Sequence, residues 1–337
     1  MSGIVKNSFA GWGGTIGGAN DDTHTRGANA DLQVFKTTGS IRTWYKPAGV
    51  TMVYIEAIGA GGGGAGGRPG TAGVGGSGGG GGALARQLFP AESLPDTLEV
   101  RVAAIGSSGA AGSNGGTGDE SYVRGDIYGQ TNKVFLYAYG GGGGGRATGD
   151  NGAGGGGGGT AQQGGTANVN SAADGGNPTI GGVDYASDNN TLGGRGAKGG
   201  PSDTGTPPGC AEYGGGGGAG VHINDMQGGG SSIYGAGGGG GGFTGGGGSG
   251  HGGVWGSYSA GGGAEGPEDT QHLDNGVARG YGCGDGGPGQ SSNAGVGSYS
   301  GAAGVPGGGG GGGSYYNLSY NGAARPGGRG EVRIFSW

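Results

Sequence analysis

The sequence is poor in the residues that build a large hydrophobic core or a cross-linked fold. Of its 337 residues, 2 are cysteine, 3 methionine, 6 phenylalanine and 12 proline. The two cysteines, Cys210 and Cys283, are too few to stabilise a chain of this length by disulfide bonds. The sequence is compatible with two free thiols and with one disulfide between them. The scarcity of proline excludes collagen, whose triple helix needs a strict glycine period with abundant proline.

Long apolar runs and an excess of basic residues are also missing. No stretch approaches the ~20 apolar residues of a membrane-spanning helix. The N-terminus has no charged start followed by an apolar run, so we expect no signal peptide and no membrane insertion. With 17 basic and 23 acidic residues, the net charge is −6, which argues against a nucleic-acid partner. We expect a soluble protein assembled in a cytoplasm.

Glycine is what the chain has in abundance, with 110 residues against about 7% in ordinary proteins. Runs such as 141–145, 154–159 and 307–313 form neither helices nor stable strands, because they pack no side chains and lose the most backbone entropy. They can adopt the left-handed threefold helix of polyproline, and without side chains such rods can approach until their backbones bond to one another. The sequence therefore predicts a bundle of polyglycine-II rods over 141–330.

The remaining residues predict β-strands and almost no α-helix. Residues 50–58 are β-branched and aromatic between turn residues and glycine, which is typical of a strand. The last strand, 331–335, is too short to be stable alone, so we expect it to pair back onto the earlier strands. The predicted fold is all-β plus polyglycine-II. A small β-sandwich at 39–140, with a short glycine-rich insert and completed by 331–337, carries the rod bundle as a long insertion.

Two strings connect this chain to a known family. WYKPAGVT at 44–51 is followed by IEAIGAGGGG at 55–64. Together they resemble the glycine-rich domain of bacteriophage tail-fibre and receptor-binding proteins, in which an aromatic-x-x-Pro-x-Gly-Val-Thr strand leads into a glycine run. The resemblance covers roughly residues 40–337. It implies a β-sandwich with polyglycine-II inserts and host-surface recognition at the fibre tip, although the attachment sequence typical of those tip adhesins is not recognisable here.

The N-terminal segment, 1–38, is predicted to attach the protein to other tail-fibre subunits. Its apolar residues are too few for an independent core, yet more than a solvated tail needs. The predicted attachment residues are Phe9, Trp12, Val34 and Phe35. The alternative is that this segment folds onto the sheets of its own chain.

The segments between glycine runs are rich in tyrosine, serine, asparagine and aspartate, a composition typical of binding loops on a rigid scaffold. We predict that these loops contact a bacterial outer-membrane protein or a surface glycan. The loops lie at 160–213, 221–236, 249–260 and 265–300. The predicted receptor-binding residues are Tyr185, Tyr234, Trp255, Tyr258, Tyr281, Tyr299, Asp225, Glu268 and Asp269.

Some of the tyrosines allow a second interpretation. Tyr139, Tyr213 and Tyr234 each lie at or next to the start of a glycine run. Such residues could cover the rod bundle rather than face a receptor. For these three positions the shielding role is the favoured alternative.

Motifs for chemistry are weak throughout. The repeated Gly-x-Gly-x-x-Gly matches are expected by chance at this glycine content, and none lies between a strand and a helix. The histidines His24, His222, His251 and His272 lack the spacing of a metal site. We predict no enzyme, no catalytic residue, no bound metal and no cofactor.

The predicted function is that of a virion-borne adhesin at the tip of a phage tail fibre, which binds a bacterial surface receptor and sets host range. The alternative is a purely structural cap or connector of the fibre, in which the same loops contact other virion subunits. A third class, ice-binding polyglycine-II proteins, prefers short regular tripeptides and a flat face of small residues, whereas these segments are long, acidic and aromatic.

Overall fold

A computed structural model describes most of the chain and contains strands without α-helices. The described residues are 12–16, 22–27, 30–68, 75–148, 151–169, 171–178, 194–201, 208–222, 225–226, 228–244, 282–289, 291–293, 296–297, 302–317 and 320–337. Within these ranges the only helical element is a 3₁₀ turn, Ala91–Ser93, and no helix could span a membrane. The all-β prediction is confirmed.

The strands are, in chain order, β1 Trp12–Ile16, β2 Thr23–Gly27, β3 Asp31–Phe35, β4 Ile41–Tyr45, β5 Met52–Ile58, β6 Leu84–Pro90, β7 Thr97–Arg101, β8 Ser121–Ile127, β9 Gln130–Ala138, β10 Asn151–Gly152, β11 Val221–His222, β12 Asp225–Met226, β13 Phe243–Thr244, β14 Ser291–Asn293, β15 Val296–Gly297, β16 Ser314–Asn317, β17 Tyr320–Gly322 and β18 Glu331–Ser336. The longer strands form two antiparallel sheets. The first has the order β1-β2-β3-β18-β5-β6, and the second has the order β4-β7-β8-β9. The short strands β10 to β17 form small separate sheets.

The C-terminal strand pairs back across the whole chain length. β18 lies between β3 and β5, with Ile334 opposite both Gln33 and Ile55. This position gives a six-residue strand backbone partners on both sides, which it lacks on its own. It also brings the two ends of the described chain into one sheet.

One apolar cluster contains buried side chains from both sheets. Ile55 and Ile334 come from the six-stranded sheet, and Trp44 and Leu98 come from the four-stranded sheet; all are fully buried. In β5 the cluster takes alternate residues, as expected for one face of a strand. Among the described residues, this cluster of 18 buried side chains is far larger than the other two apolar clusters, which have four and three.

The N-terminal segment contributes strands to this fold. β1, β2 and β3 extend the six-stranded sheet beyond β18. Phe35 is 6% exposed and belongs to the apolar cluster, whereas Val34 is half-buried. The described part of 1–38 thus folds onto its own chain, which was the alternative to an attachment segment. Phe35 in particular has its side chain in the core and offers no free surface to another subunit.

Most of the other described residues belong to extended glycine-rich segments outside both sheets. We call them the glycine bundle: residues 59–67, 75–83, 103–119, 139–147, 153–169, 171–178, 194–200, 208–220, 228–242, 282–289, 302–313 and 323–330. Their N–H groups donate to carbonyls of other segments at 2.6–3.3 Å. Segments from both sides of residue 140 are interleaved, so the predicted division at that residue is not a boundary in the hydrogen bonding.

Hydrogen bonds in the glycine bundle repeat every three residues. In segment 59–67, the N–H groups of Gly59, Gly62 and Ala65 all donate to segment 75–83, each over 2.9 Å. The remaining N–H groups of 59–67 follow the same period onto two further segments. A period of three differs from the period of two of a strand and from the 3.6 of an α-helix.

Segment 59–67 is bonded on all sides. Six segments surround it: 75–83, 113–119 and 324–330 accept its N–H groups, and 104–112, 140–146 and 307–313 donate to its carbonyls. Such close approach leaves room for the methyl groups of Ala60 and Ala65 but for no side chain at the glycines. A Cβ at Gly62, Gly80 or Gly157 would overlap a backbone carbonyl of a neighbouring segment.

Segments at the surface of the bundle tolerate more side chains. In 104–112, the N–H groups of Gly106, Gly109 and Gly112 donate to the central segment 59–67. Ser107 and Ser108, which lie between these glycines, are exposed. A segment with one side exposed to solvent therefore needs glycine mainly at the positions that face the central segment.

A buried ionic network connects the six-stranded sheet to the glycine bundle. Arg333 is 2% exposed and donates from Nε to Glu331 Oε1 over 2.7 Å and from Nη2 to the carbonyl of Gly282 over 3.0 Å. Its Nη1 lies 3.4 Å from Glu56 Oε2, and Glu331 also accepts a bond from Arg329. The face of the sheet opposite the apolar core is thus closed by paired charges.

Candidate binding cleft

Two tyrosines that lie at or next to the start of glycine runs stack on each other. The rings of Tyr213 and Tyr234 lie 4.6 Å apart with an interplanar angle of 22°. The guanidinium of Arg86, in β6, lies over both rings at 5.1 and 5.0 Å and donates to the Tyr213 hydroxyl over 2.9 Å. This arrangement combines aromatic stacking with cation–π attraction. It holds the three side chains together at the junction of sheet and bundle.

A second aromatic group lies on the four-stranded sheet. Tyr137 in β9 stacks on Tyr139 at 5.3 Å with an interplanar angle of 9°, and Tyr122 in β8 lies 5.9 Å from Tyr137. Arg101 and Arg124 lie beside the ring of Tyr122, each 5.8 Å from its centroid. Tyr137 is therefore held between two other tyrosines.

An open cleft of about 600 Å³ joins the two aromatic groups. Its walls are residues 84–87 of β6 and 134–137 of β9, the edge strands of the two sheets. Thr160, Pro178, Gly194 and Tyr213 of the glycine bundle complete the lining. Among the described residues of the lining, Arg86 is the only charged one. The cleft thus has an apolar floor, two tyrosines and a few polar groups, as small-molecule sites commonly do.

The structure places only some of the predicted receptor-binding residues. Tyr234 lies beside the cleft lining and is 38% exposed, and Asp225 lies in β12. The remaining seven lie outside the described residues: Tyr185, Trp255, Tyr258, Tyr281, Tyr299, Glu268 and Asp269. Their role in receptor binding stays a prediction. Of the attachment residues, Trp12 lies in β1 and Phe9 lies outside the described residues.

The loop at 160–213 is only partly a loop. Ala173 and Gly176 donate to Gly154 and Gly157, and Ala197 donates to Gly215, so these parts of the sequence are segments of the bundle. These segments do not stand out in the sequence, because their glycines do not form continuous runs. The spacing of glycine and alanine by three is the signal that identifies them.

The cleft itself was not predicted from the sequence. Arg86 and Gln87 lie in a strand, and Thr160 lies in a glycine-rich segment. Gln87 and Thr160 are 73 residues apart in the sequence. The only signal was the position of Tyr213 and Tyr234 beside glycine runs. Both the shielding role and the binding role are compatible with where these two tyrosines lie.

The described residues hold no cluster of metal ligands and no disulfide. No group of three or more histidine, cysteine or carboxylate side chains in the described ranges could hold a metal ion. Cys210 is exposed and Cys283 is buried, and they are not joined to each other. Cys283 packs with Ile58, Leu84 and Ala236 in a small apolar cluster between the sheet and the bundle.

Stability should fall at alkaline pH because of Tyr54. Burial of its hydroxyl, together with the Glu56 carboxylate 3.1 Å away, raises the pKa of Tyr54 to about 12. The folded state therefore holds this proton more tightly than the unfolded state, whose tyrosine pKa is about 10. The contribution is complete below pH ~10 and is lost as the pH rises toward 12.

The Tyr54→Phe variant tests this pH dependence. Its free energy of unfolding, measured by chemical denaturation, should fall less steeply between pH 9.5 and 11.5 than that of the wild type. Tyr45→Phe is the control, because Tyr45 is 67% exposed on β4. Equal slopes for the wild type and Tyr54→Phe would contradict the assignment.

No protein-family model matches the chain, and no curated protein gives a significant sequence match. The functional assignment therefore depends on the residues and geometry described above.

Proposed function

We propose that this chain is an adhesin at the tip of a bacteriophage tail fibre, where it binds a bacterial surface receptor and sets host range. The observation that carries the proposal is an aromatic cleft built on a scaffold held together by backbone hydrogen bonds. The strings at 44–51 and 55–64, which resemble the glycine-rich domain of receptor-binding fibre proteins, support the same function. In the virion, other tail-fibre subunits would be its partners.

We also propose that the glycine bundle consists of polyglycine-II rods. Polyproline-type helices have three residues per turn, which agrees with hydrogen bonds that return to the same neighbour every third residue. The six neighbours of segment 59–67 agree with hexagonal packing of such rods. By the same reasoning, the apolar cluster shared by the two sheets supports a β-sandwich.

A scaffold of this kind suits an adhesin for a physical reason. Binding loops lose conformational entropy when they order on a receptor, and this loss reduces affinity unless the loops are held in place beforehand. Each described segment of the bundle is fixed by backbone bonds at short intervals. Segments that connect rods can then vary in sequence without altering the scaffold, which is the property that a host-range determinant requires.

Adsorption to bacterial cells tests the proposed function. The purified full-length protein, labelled with a fluorophore, should bind cells of some bacterial strains and not others, and it should block infection by a phage whose fibre carries it. A protein that binds no strain but co-assembles with fibre subunits would support the structural cap or connector instead. Thermal hysteresis of the protein solution would support the ice-binding class.

The predicted receptor-facing loops give a sharper test. We expect Trp255→Ala or Tyr258→Ala to reduce adsorption at least about tenfold, because aromatic anchors commonly contribute ~2 kcal/mol or more to an interface. Both residues lie outside the described residues, so this prediction is based on the sequence. The thermal melt should be unchanged. Adsorption that survives replacement of every predicted loop by Gly-Ser would contradict the receptor-binding role of the loops.

A further inference from the structure

We propose that the cleft between β6 and β9 binds one sugar unit of a bacterial surface polysaccharide. This inference rests on the proposed function, because it names the chemistry of the receptor. The lining residues Thr160, Pro178, Gly194 and Tyr213 belong to the loop predicted at 160–213, so the site is one part of the predicted receptor-binding surface. It lies at the junction between the sheets and the glycine bundle.

The two tyrosines of the lining provide aromatic surfaces that are fixed before a ligand binds. Tyr137 stacks on Tyr139, and Tyr213 stacks on Tyr234. Arg86 further restrains Tyr213 through its hydroxyl. A sugar ring has an apolar face of C–H groups that can pack against such rings. Because each lining tyrosine is already held by a second one, little side-chain entropy remains to be lost on binding.

The polar groups of the cleft are suited to form hydrogen bonds with hydroxyl groups and are not suited to bind a cation. Arg86 and Gln87 present planar arrays of N–H donors, and Thr160 adds a hydroxyl. The described lining contains no carboxylate, so the cleft has a positive charge in a chain whose net charge is −6. A neutral sugar, or one with an acidic substituent that pairs with Arg86, fits these groups.

The size and shape of the cleft also fit a sugar unit. Its volume of about 600 Å³ lies within the ~300–1,000 Å³ typical of small-ligand sites. The cleft is open to solvent, which allows a bound unit to continue into a longer chain. A polysaccharide could thus place one unit in the cleft while its neighbours remain outside.

An extended peptide is the less suitable occupant. The cleft is lined by two edge strands, and such edges can bind a peptide by strand addition. However, the N–H of Leu84 in β6 already donates to the carbonyl of Tyr213 over 2.9 Å. The start of this edge is therefore occupied by the chain itself, and the polar side chains at residues 86 and 87 would add nothing to main-chain pairing.

The experiment compares treated cells and matched variants of the full-length protein. Periodate cleaves vicinal diols of sugars, whereas protease digestion removes surface proteins. Cells that adsorb the wild type are treated with one or the other, and polysaccharide released from the same cells is used as a soluble competitor. Gln87→Trp places an indole in the cleft from an exposed position. Gln130→Trp makes the same change at an exposed position of β9 that is not part of the lining.

We expect periodate treatment of the cells to abolish most adsorption of the wild type, and soluble polysaccharide to compete with the cells for the protein. Gln87→Trp should weaken polysaccharide binding at least about tenfold. Gln130→Trp should bind within twofold of the wild type. Adsorption that resists periodate and soluble polysaccharide but is lost after protease would overturn the sugar assignment and leave the adhesin function standing. Equal binding of polysaccharide by both variants would overturn the placement in this cleft.

The inference and the proposed function can fail separately. If the wild type adsorbs to no cells but binds released polysaccharide in a Gln87-dependent way, the adhesin function fails and the sugar site stands. Tyr213→Ala provides a second variant of the site, and it should also lose polysaccharide binding. Because Tyr213 packs on Tyr234, its melting temperature is measured alongside, and Gln87→Trp decides the outcome if that variant does not fold.

Discussion

Gly157→Val should be among the most destabilising single substitutions in this protein, with a loss of about 3 kcal/mol or more in the free energy of unfolding. A Cβ at Gly157 would overlap the carbonyl of Gly215 in the adjacent segment, and the backbone of Gly216 lies close behind it. Overlap with a side chain can be relieved by a change of rotamer, but these atoms belong to the main chain. The two segments would have to separate, which would break the bonds from Gly215 to Gly158 and from Gly218 to Gly155.

Gly165→Ala is the matched control in the same bundle. A Cβ at Gly165 would meet its nearest atom, the carbonyl oxygen of Asp174, at 3.2 Å. Its free energy of unfolding should stay within about 1 kcal/mol of the wild type, because alanine also restricts the unfolded chain. Chemical denaturation and thermal melting measure both variants. A Gly157→Val protein that melts within a degree or two of the wild type would contradict close packing at that segment.

Arg333→Met should cost about 3–5 kcal/mol, because it removes one partner from a buried ionic network. Arg333 and Glu331 are 2% and 3% exposed, and Glu56 is 3% exposed. Without the guanidinium, two carboxylates remain buried, and the carbonyl of Gly282 loses a donor. Glu331 keeps its bond from Arg329, and Glu56 keeps the bond from the Tyr54 hydroxyl, so the variant loses the central cation of the network and not every partner.

A surface ion pair provides the comparison. Arg124 Nη2 lies 2.5 Å from Glu99 Oε2, and the two side chains are 29% and 40% exposed. Arg124→Met should leave the free energy of unfolding close to that of the wild type, because solvent screens such pairs. Denaturation curves of both variants and the wild type are the measurement. Similar losses for Arg333→Met and Arg124→Met would show that burial does not amplify the Arg333 network.

The strands that could be predicted are those with a clear pattern of apolar residues. The segments at 50–58 and 331–335 are observed as β5 and β18, with shifts of at most two residues at their ends. β1, β2 and β3 were not predicted as strands, because β1 and β2 are rich in glycine, threonine and polar residues and the alternation in β3 covers only Asp31 to Val34. They are strands because β18 and then each other supply backbone partners, which is a property of the assembled sheet.

The candidate site was predictable only in its parts. A tyrosine at the start of a glycine run is visible in the sequence, and Tyr213 and Tyr234 have this position. That the two rings stack, and that Arg86 covers both, depends on which glycine segments lie side by side and on which strand edge faces them. Residues that are distant in the chain but meet in one site share no recognisable sequence pattern.

The sequence by itself determined the composition of the fold. With 110 glycines and few large apolar residues, only one ordinary core could form, and the rest of the chain had to be held by its backbone. The tertiary structure decided the order of the segments. A glycine has no side chain to distinguish one neighbour from another, so the partners of 59–67 cannot be read from its own residues. Segments 59–67, 75–83, 103–119 and 139–147 each begin or end at a strand of the two sheets, which fixes where they enter the bundle. The cleft forms where this arrangement brings β6, β9 and the bundle together.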